Sequence, residues 1–379
     1  MTRPFARQFI LSTVGISLLL KMSEDQTERS RLNKISNEKD LTGEDKVFVD
    51  ELGQKALQTL NQSDIEQRRQ LSAELNGLYA FYEDDLSLAQ NDHHWLISTD
   101  TYLGRKSAEI VEAFLREQGI PYVQRYAPDR LSTASPDRFS AGMQHLLKWC
   151  EDTIPGYKKN GYHVIFNLTG GFKSLQGYLN IIGMFYADGL VYIFEGSSSL
   201  LRIPRLPIQV DPRPIRAYAV QFAMMAAGYI VSYDQVSALP GGLLERDQEG
   251  NVSISEWGLL VWNRLKGKLL GESLLLFPRL VYSPSFKKDF ERAQEQDKVR
   301  LQETLAKVAT ILEETNGNTA QLKQDGGLQY DNYVNKQDEE KRPIGHFRIS
   351  QGIRVSCVSK NGKLYLRRFG QEPDVNGNP

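Results

Sequence analysis

The sequence has few cysteines: Cys150 and Cys357 are the only two, and they lie far apart. Disulfide-stabilised secreted domains concentrate their cysteines, so this usage favours a reducing compartment. The five histidines include the adjacent pair His93 and His94, but no HExxH or other metal-ligand spacing is present. We therefore expect no metal and no cofactor.

An excess of charge of either sign is also missing, because 46 Lys and Arg residues stand against 47 Asp and Glu residues. With a net charge of −1, any affinity for nucleic acid must come from a local basic surface. The composition is otherwise that of a globular protein. Since 379 residues exceed what a single core usually supports, we expect at least two domains.

A long hydrophobic run is the third feature that the sequence lacks. The run from Phe9 to Leu20 is shorter than the roughly 20 residues that a membrane helix needs. Arg3 and Arg7 precede it as in a signal peptide, but no small-residue cleavage site follows. We interpret the run as a buried first strand and its turn, with a signal peptide as the alternative. We expect a cytoplasmic protein that has no membrane partner.

Four short apolar stretches alternate with helical patterns in the first half of the chain. They are residues 9–14 (FILSTV), 94–101 (HWLISTDT), 162–168 (YHVIFNL) and 190–196 (LVYIFEG). Amphipathic helices are predicted at 104–119 and from about 172 to 187. This alternation is typical of a parallel sheet that is buried on both faces, so we predict an α/β domain over residues 1–210.

Small polar residues follow three of these strands, in the sequences STVGIS, STDT and NLTGG. Ligands of parallel sheets bind beyond the carboxyl ends of the strands, so the three strand ends predict one polar rim. The rim comprises Ser12, Thr13, Ser17, Asp100, Thr101, Asn167, Thr169, Gly170 and Gly171.

The stretch TGGFKS, residues 169–174, fits neither the Walker A spacing nor GxGxxG. Its two glycines nevertheless allow a close backbone approach, the following helix offers free N–H groups, and Lys173 adds a positive charge. The pattern indicates a phosphate site. An ordinary strand-to-helix turn with a solvated lysine is the alternative that it leaves open.

The motifs FILSTVGISLL, ISTDTYLG and NLTGGFK, in this order, resemble the signatures of the CARF family, the Rossmann-like sensor domains of type III CRISPR systems. The resemblance covers roughly the first 200 residues. It implies a homodimer whose two rims face each other across a twofold axis. It also implies a cyclic oligoadenylate, such as cyclic tetra-adenylate, as allosteric activator. A symmetric polyanion suits a symmetric pair of amide-and-lysine rims.

By position, the resemblance implies ten ligand-binding residues. They are Ser12, Thr13, Gly15, Asp100, Thr101, Asn167, Thr169, Gly170, Gly171 and Lys173. A carboxylate repels phosphate, so we expect Asp100 to cap the following helix or to bind a ribose hydroxyl.

The second half of the chain changes character twice. A Pro- and Arg-rich stretch at 202–216 predicts the exit from the first domain. Residues 211–277 are predicted as a small helical or winged-helix connector, in which Ser255 caps an apolar helix. Over 278–379, two charged amphipathic helices precede the strands GHFRIS, IRVSCVS and KLYLRRF. This order predicts an α+β domain with an antiparallel sheet.

The C-terminal strands are basic, with eight Lys and Arg residues and no acid between Lys341 and Arg368. Arg348 and Arg354 lie on neighbouring strands across a tight turn. Arg367 and Arg368 point to opposite faces by strand alternation, so only one of them can join the others. Converging guanidinium groups favour a phosphodiester site, and a solvated sheet face is the alternative.

The sequences SPSFKKDF and HFRISQGIRVSCVSKNGKLYLRRFG resemble the RelE-type toxin nucleases, over about residues 278–375. The resemblance implies metal-independent cleavage of mRNA in the ribosomal A site, by attack of a ribose 2′-hydroxyl on the adjacent phosphate. It implies Arg354 as phosphate stabiliser, Arg348 and His346 as basic residues of the preceding strand, and Arg367 or Arg368 near the leaving group. His346 is then the general base or acid, or else a structural histidine. The tyrosine or lysine that this family often has near its end is missing after Gly370.

Together the two resemblances imply a cyclic-oligoadenylate-activated endoribonuclease (an mRNA interferase) of antiviral defence, with mRNA and the ribosome as partners. One alternative is a ligand-controlled transcription regulator that binds DNA through the middle segment, although EWGLLVWNRLKGK is apolar first and only modestly basic later. Another is a ring nuclease that degrades its own activator, although no general acid or base is evident on the rim. A pure binding module, which uses both basic sites for docking and cleaves nothing, is the third.

Overall fold

The structure is a computed structural model that describes residues 7–194 and 199–379. The chain divides into two compact units, Met1–Gln209 and Val210–Pro379. Glu195 and Gly196, the end of the fourth predicted strand, lie outside the described residues, as does Arg3. None of the helices in the described ranges has the length and hydropathy that a membrane span requires.

The N-terminal unit contains six strands and eight helices in its described residues. The strands are β1 (Gln8–Thr13), β2 (His93–Ile97), β3 (Val123–Tyr126), β4 (His163–Asn167), β5 (Gly189–Ile193) and β6 (Leu200–Pro204). The helices are α1 (Ser17–Met22), α2 (Gln26–Ile35), α3 (Gly43–Gln62), α4 (Ile65–Leu71), α5 (Ala73–Phe81), α6 (Tyr102–Glu117), α7 (Pro136–Lys159) and α8 (Lys173–Tyr186), with a 3-10 turn at Leu86–Ala89.

The six strands form one sheet in the order β3-β2-β1-β4-β5-β6. Strands β1 to β5 are parallel, and β6 pairs antiparallel with β5 at the edge. The predicted parallel sheet with alternating helices is therefore confirmed. The order reverses between β1 and β4, which is where doubly wound sheets bind their ligands. Strand β1 is buried along its whole length.

The C-terminal unit contains seven helices and eight strands. The helices are α9 (Arg213–Arg216), α10 (Ala219–Ala226), α11 (Glu256–Glu272), α12 (Pro284–Arg292), α13 (Glu295–Glu314), α14 (Ala320–Gln324) and α15 (Glu372–Gly377), with 3-10 turns at Tyr233–Gln235 and Gly241–Leu243. The strands are β7 (Val231–Ser232), β8 (Leu244–Arg246), β9 (Asn251–Ile254), β10 (Leu280–Tyr282), β11 (Asp331–Gln337), β12 (Pro343–Arg348), β13 (Ile353–Lys360) and β14 (Lys363–Gln371).

The larger sheet of this unit has the order β10-β14-β13-β12-β11. Strands β11 to β14 pair antiparallel, and β10 is parallel to β14. The three strands that the sequence predicts are β12, β13 and β14. Asn361 and Gly362 join the last two, and both have positive φ angles, 52° and 69°, as the tight hairpin turn requires.

Residues 211–277 and the C-terminal segment share one core. Phe222 and Trp262 of the middle segment belong to the same buried cluster as Leu301 and Val355. The middle segment contains α10, α11 and a three-stranded sheet in the order β7-β9-β8. Its long helix begins at the predicted cap, because the side chain of Ser255 accepts a hydrogen bond from the Gly258 amide at 3.0 Å.

Candidate functional site

The carboxyl ends of β1 and β4 lie side by side and share a network of polar groups. Asn167 donates from Nδ2 to Ser12 Oγ at 3.2 Å, and Thr169 donates from Oγ1 to Asn167 Oδ1 at 2.9 Å. Thr13 donates from Oγ1 to the carbonyl oxygen of Gly170 at 2.5 Å. The side chains of Ser12, Thr13 and Asn167 are fully buried. Their hydrogen bonds fix the loop that follows β4, residues 169–171, which we call the glycine loop.

The glycines of the loop are required by its close approach to the turn after β1. Gly171 has φ +83°, and a Cβ atom there would lie 3.0 Å from the Cβ of Thr13. A Cβ atom on Gly15 would lie 3.2 Å from the Cα of Gly171. The loop then enters α8, and no side chain in the described ranges caps this helix. The first-turn amides of α8 and the side chain of Lys173 are thus available to an anion.

An open cleft of about 1030 Å³ lies against this loop. It is lined by Ser17, Lys21, Ile65, Glu66, Arg69, Gln70, Ala73, Asn76, Asp84, Thr169, Gly171, Lys173, Gln176, Tyr192, Ile193 and Phe194. Arg69 pairs with Asp84 at 2.8 Å, and Lys21 donates from Nζ to the carbonyl of Gln70. Within the described part of the chain, no acid pairs with Lys173. The cleft therefore places a lysine without an acidic partner beside the glycine loop.

Asp100 and Thr101 take part in other contacts, and neither lines the cleft. Asp100 forms ion pairs with Lys39 and Arg105, both at 2.8 Å, and accepts a hydrogen bond from the amide of Arg130 at 3.1 Å. Thr101 accepts from the amide of Gly104 at 3.1 Å and so caps α6. The cap of this helix is therefore Thr101 and not Asp100.

Glu74 is a residue of this region that the sequence analysis missed. It is fully buried in α5, and neither carboxylate oxygen accepts a well-formed hydrogen bond from the described residues. A Cβ atom on Gly170 would lie 2.7 Å from Glu74 Oε2, so the carboxyl group lies directly beneath the glycine loop. Burial raises the pKa of Glu74 to about 7. No local pattern marks this position, since a glutamate in the first turn of a helix is ordinary.

Replacing Glu74 with glutamine should remove a pH-dependent loss of stability. The folded state holds the proton up to about pH 7, whereas the unfolded chain releases it near 4.5. The free energy of unfolding of the wild type should therefore fall by about 3 kcal/mol between these pH values relative to the variant. Urea unfolding at pH 5 and pH 7.5 measures this difference. The exposed neighbour Glu66, replaced by glutamine, is the control, and parallel pH profiles of E74Q and wild type would contradict the expectation.

One face of the C-terminal sheet carries the basic side chains of His346, Arg348 and Arg354, and we call it the basic face. Arg348 pairs with Arg354, and His346 pairs with Ser356, across β12 and β13. Residues paired in this way project to the same side of a sheet. The Nε groups of both arginines are buried and have no hydrogen-bond partner in the described residues.

His346 is half-buried and stacks on Tyr333 of β11, with 4.4 Å between the ring centroids. Burial and then the positive charge of Arg354 lower the pKa of His346. The imidazole is therefore neutral at pH 7, which suits a group that accepts a proton.

Four further residues surround the basic face and were not predicted. Tyr333 donates from its hydroxyl to Asn376 Oδ1 at 2.7 Å, and Lys336 donates from Nζ to the Asn376 carbonyl. Glu372 forms an ion pair with Arg354 at 2.7 Å. They come from an edge strand and from the short helix α15, and neither segment shows a sequence pattern that links it to the basic strands.

Arg367 and Arg368 have different partners. Arg368 pairs from Nε with Asp289 of α12 at 2.7 Å. Arg367 donates from Nε and Nη2 to the Pro379 carbonyl at 3.3 and 3.2 Å. The register is irregular at this point, because Arg368 pairs with Ser356 whereas Leu366 pairs with Cys357, so Arg367 is an extra residue and the predicted strand alternation does not hold. Arg368 therefore projects to the side of the basic face, and Arg367 contacts the C-terminal segment. In the ranges that the structure describes, no group of His, Cys, Asp and Glu side chains is arranged to hold a metal ion.

The fold and the rim define an α/β domain with a candidate anion site at the carboxyl edge of a parallel sheet. Residues 69–206 match the family model described as CRISPR-associated protein (Cas_APE2256). The match includes the glycine loop and Lys173, whereas β1 and the C-terminal unit lie outside it. This similarity supports a CRISPR-associated protein of the CARF type and an accessory role in a type III CRISPR system.

Proposed function

We propose that the protein is an endoribonuclease of type III CRISPR defence that is activated by a cyclic oligoadenylate and cleaves mRNA on the ribosome. The observation that carries the nuclease half is the convergence of His346, Arg348 and Arg354 on one sheet face. The sensor half is supported by the match to CRISPR-associated proteins and by the glycine loop and Lys173 beside a cleft.

In the proposed reaction, the ribose 2′-oxygen attacks the adjacent phosphorus while neutral His346 takes the hydroxyl proton. The bond from phosphorus to the 5′-oxygen breaks, and the leaving oxygen takes a proton from water. The products are a 2′,3′-cyclic phosphate and a 5′-hydroxyl end. Arg354 and Arg348 stabilise the additional negative charge on the five-coordinate phosphorus, which is the main requirement of such a step. The ribosome supplies the in-line geometry.

The activator is proposed to bind with its phosphates at the loop 169–171, where the amides of α8 and Lys173 offer positive potential. A ring with twofold symmetry is matched by a homodimer that presents two such loops. Cyclic tetra-adenylate is the ring that we propose, and Lys21 adds a second positive charge to each cleft. Asp100 is not needed for this contact, because its ion pairs occupy it.

The competing proposal of a DNA-binding regulator receives less support from the middle segment. Helix α11 buries Trp262, Leu265, Leu269 and Leu270 in the shared core. A recognition helix must instead expose a polar face to the major groove. We therefore propose that α11 serves to pack the core and does not bind DNA. Cys150 and Cys357 are both buried, in keeping with a cytoplasmic location.

The proposal predicts ligand-dependent cuts within translated codons. A reporter mRNA is translated in a cell-free extract with the protein, with or without cyclic tetra-adenylate, and RNA ends are mapped by primer extension. We expect cuts only when both ligand and ribosomes are present, because the ribosome positions the RNA. Purified mRNA without ribosomes is the control. Intact mRNA in the presence of bound ligand would refute the nuclease half and leave the sensor half standing.

A further inference from the structure

The guanidinium of Arg354 already has an anionic partner. Glu372, the first residue of α15, forms an ion pair with Arg354 Nη2 at 2.7 Å. Only 14% of the arginine side chain is exposed, so this carboxylate covers the group that we assign to the RNA phosphate. Carboxylate and phosphate oxygens bind a guanidinium with the same geometry.

The rest of the segment 372–379, which follows β14, is attached to the same neighbourhood. Asn376 accepts hydrogen bonds from Tyr333 at 2.7 Å and from Lys336, and the Pro379 carbonyl accepts from Arg367. Apart from the backbone bond between the Glu372 amide and the Gly352 carbonyl at 2.8 Å, the attachments use side chains beside the basic face. The tyrosine hydroxyl, the lysine ammonium and the arginine guanidinium are groups that also bind the phosphates of an RNA backbone.

The segment is held weakly by comparison with the core. Helix α15 has six residues, and Val375 is its one buried side chain. A helix of this length has little stability of its own, so its position depends on the polar contacts to the sheet. An RNA that supplies phosphates to Arg354 and Arg367 competes for those same contacts.

We propose that residues 372–379 form an autoinhibitory strap in which Glu372 occupies the position of an RNA phosphate on Arg354. The strap must leave the basic face before RNA can bind there. This inference rests on the proposed function, since it assumes that the ligand of the basic face is RNA. It accounts for a resting state in which the nuclease site is closed by the chain itself.

The test is the affinity of the full-length protein for a 2′-O-methyl RNA of ten nucleotides, which cannot be cleaved, measured by fluorescence anisotropy. We expect Glu372→Gln to tighten binding about 10-fold, because the competing charge is removed. Asp374→Asn is the matched control: it makes the same charge change in the same helix at an exposed residue, and binding should stay within about twofold of wild type. Equal affinities of E372Q and D374N, or no RNA binding by any variant, would overturn the proposal.

A second measurement needs no variant. Hydrogen exchange of the amides in α15 should become faster when the same RNA is added to the wild-type protein, since the strap is displaced. Exchange that is unchanged or slower with bound RNA would overturn the strap even if E372Q misfolds. Cleavage is measured in a separate assay. If no variant cuts translated mRNA in the presence of the activator, the proposed nuclease function is wrong. The RNA affinities and the hydrogen exchange still test whether the strap covers the basic face.

Discussion

Replacing Arg354 with glutamine should lower the rate of ligand-dependent mRNA cleavage by at least about 100-fold. The guanidinium lies on the basic face beside His346, where it would bind the charge that develops on the phosphorus. Removing one such donor from a preorganised site typically costs two to three orders of magnitude. The rate is measured from primer-extension band intensities in a translating extract over time.

The matched control for this variant is Arg342→Gln, in the same unit. Arg342 is occupied by Asp338 at 2.6 Å and Glu340 at 2.9 Å, so it should not contribute to cleavage. Since Arg354 also pairs with Glu372, thermal unfolding must show that R354Q is folded. Binding of cyclic tetra-adenylate should not change. Cleavage by R354Q at the wild-type rate would show that the reaction does not take place at the basic face.

Replacing Lys173 with glutamine should weaken the binding of cyclic tetra-adenylate by about 10- to 100-fold, the usual range for one hydrogen bond to a charged group. The ring would meet this lysine in both copies of a dimer, so the larger value is expected. Titration calorimetry measures the affinity directly. In the cleavage assay the activator concentration at half-maximal rate should rise, while the maximal rate stays the same.

Lys159→Gln is the control for the lysine prediction, because it removes the same charge at an exposed residue. Lys159 ends α7 before β4 begins, whereas the loop follows the opposite end of that strand. Equal affinity of K173Q and K159Q for the ring would show that the ligand does not use the glycine loop. Gly170→Ala offers a structural check. Its Cβ would lie 2.5 Å from the Thr13 carbonyl oxygen, so the loop must move and affinity should fall as well.

The buried strands were predictable because their apolar runs are continuous, as β1 and β4 illustrate. Strand β3 was missed since its sequence VQRY has one buried residue, Val123, and so has no apolar run. Helix α7 contains Pro155, which weakens a helical pattern, yet the helix continues past it. Strand β6 ends in Pro204 at the sheet edge, where a proline is tolerated.

Site residues could be predicted from the sequence only where a local pattern marks them. The loop after β4 and the basic residues of β12 and β13 stand in local patterns, and a sequence shows these directly. Glu74 and Glu372 reach their sites through tertiary packing, from a helix beside the sheet and from the end of the chain. Asp100 also follows a strand, but its carboxylate forms ion pairs with Lys39 and Arg105, and a sequence pattern does not show such tertiary partners.

The core that the middle segment shares with the C-terminal strands has a consequence for proteolysis. A protease that cuts near residue 277 would separate Phe222 and Trp262 from Leu301 and Val355, and the released fragment would expose the apolar surface that these residues cover. Such a fragment would unfold or aggregate. Proteolysis near residue 277 therefore cannot release the following residues as an intact domain, and the connector and the C-terminal strands are kept or lost together.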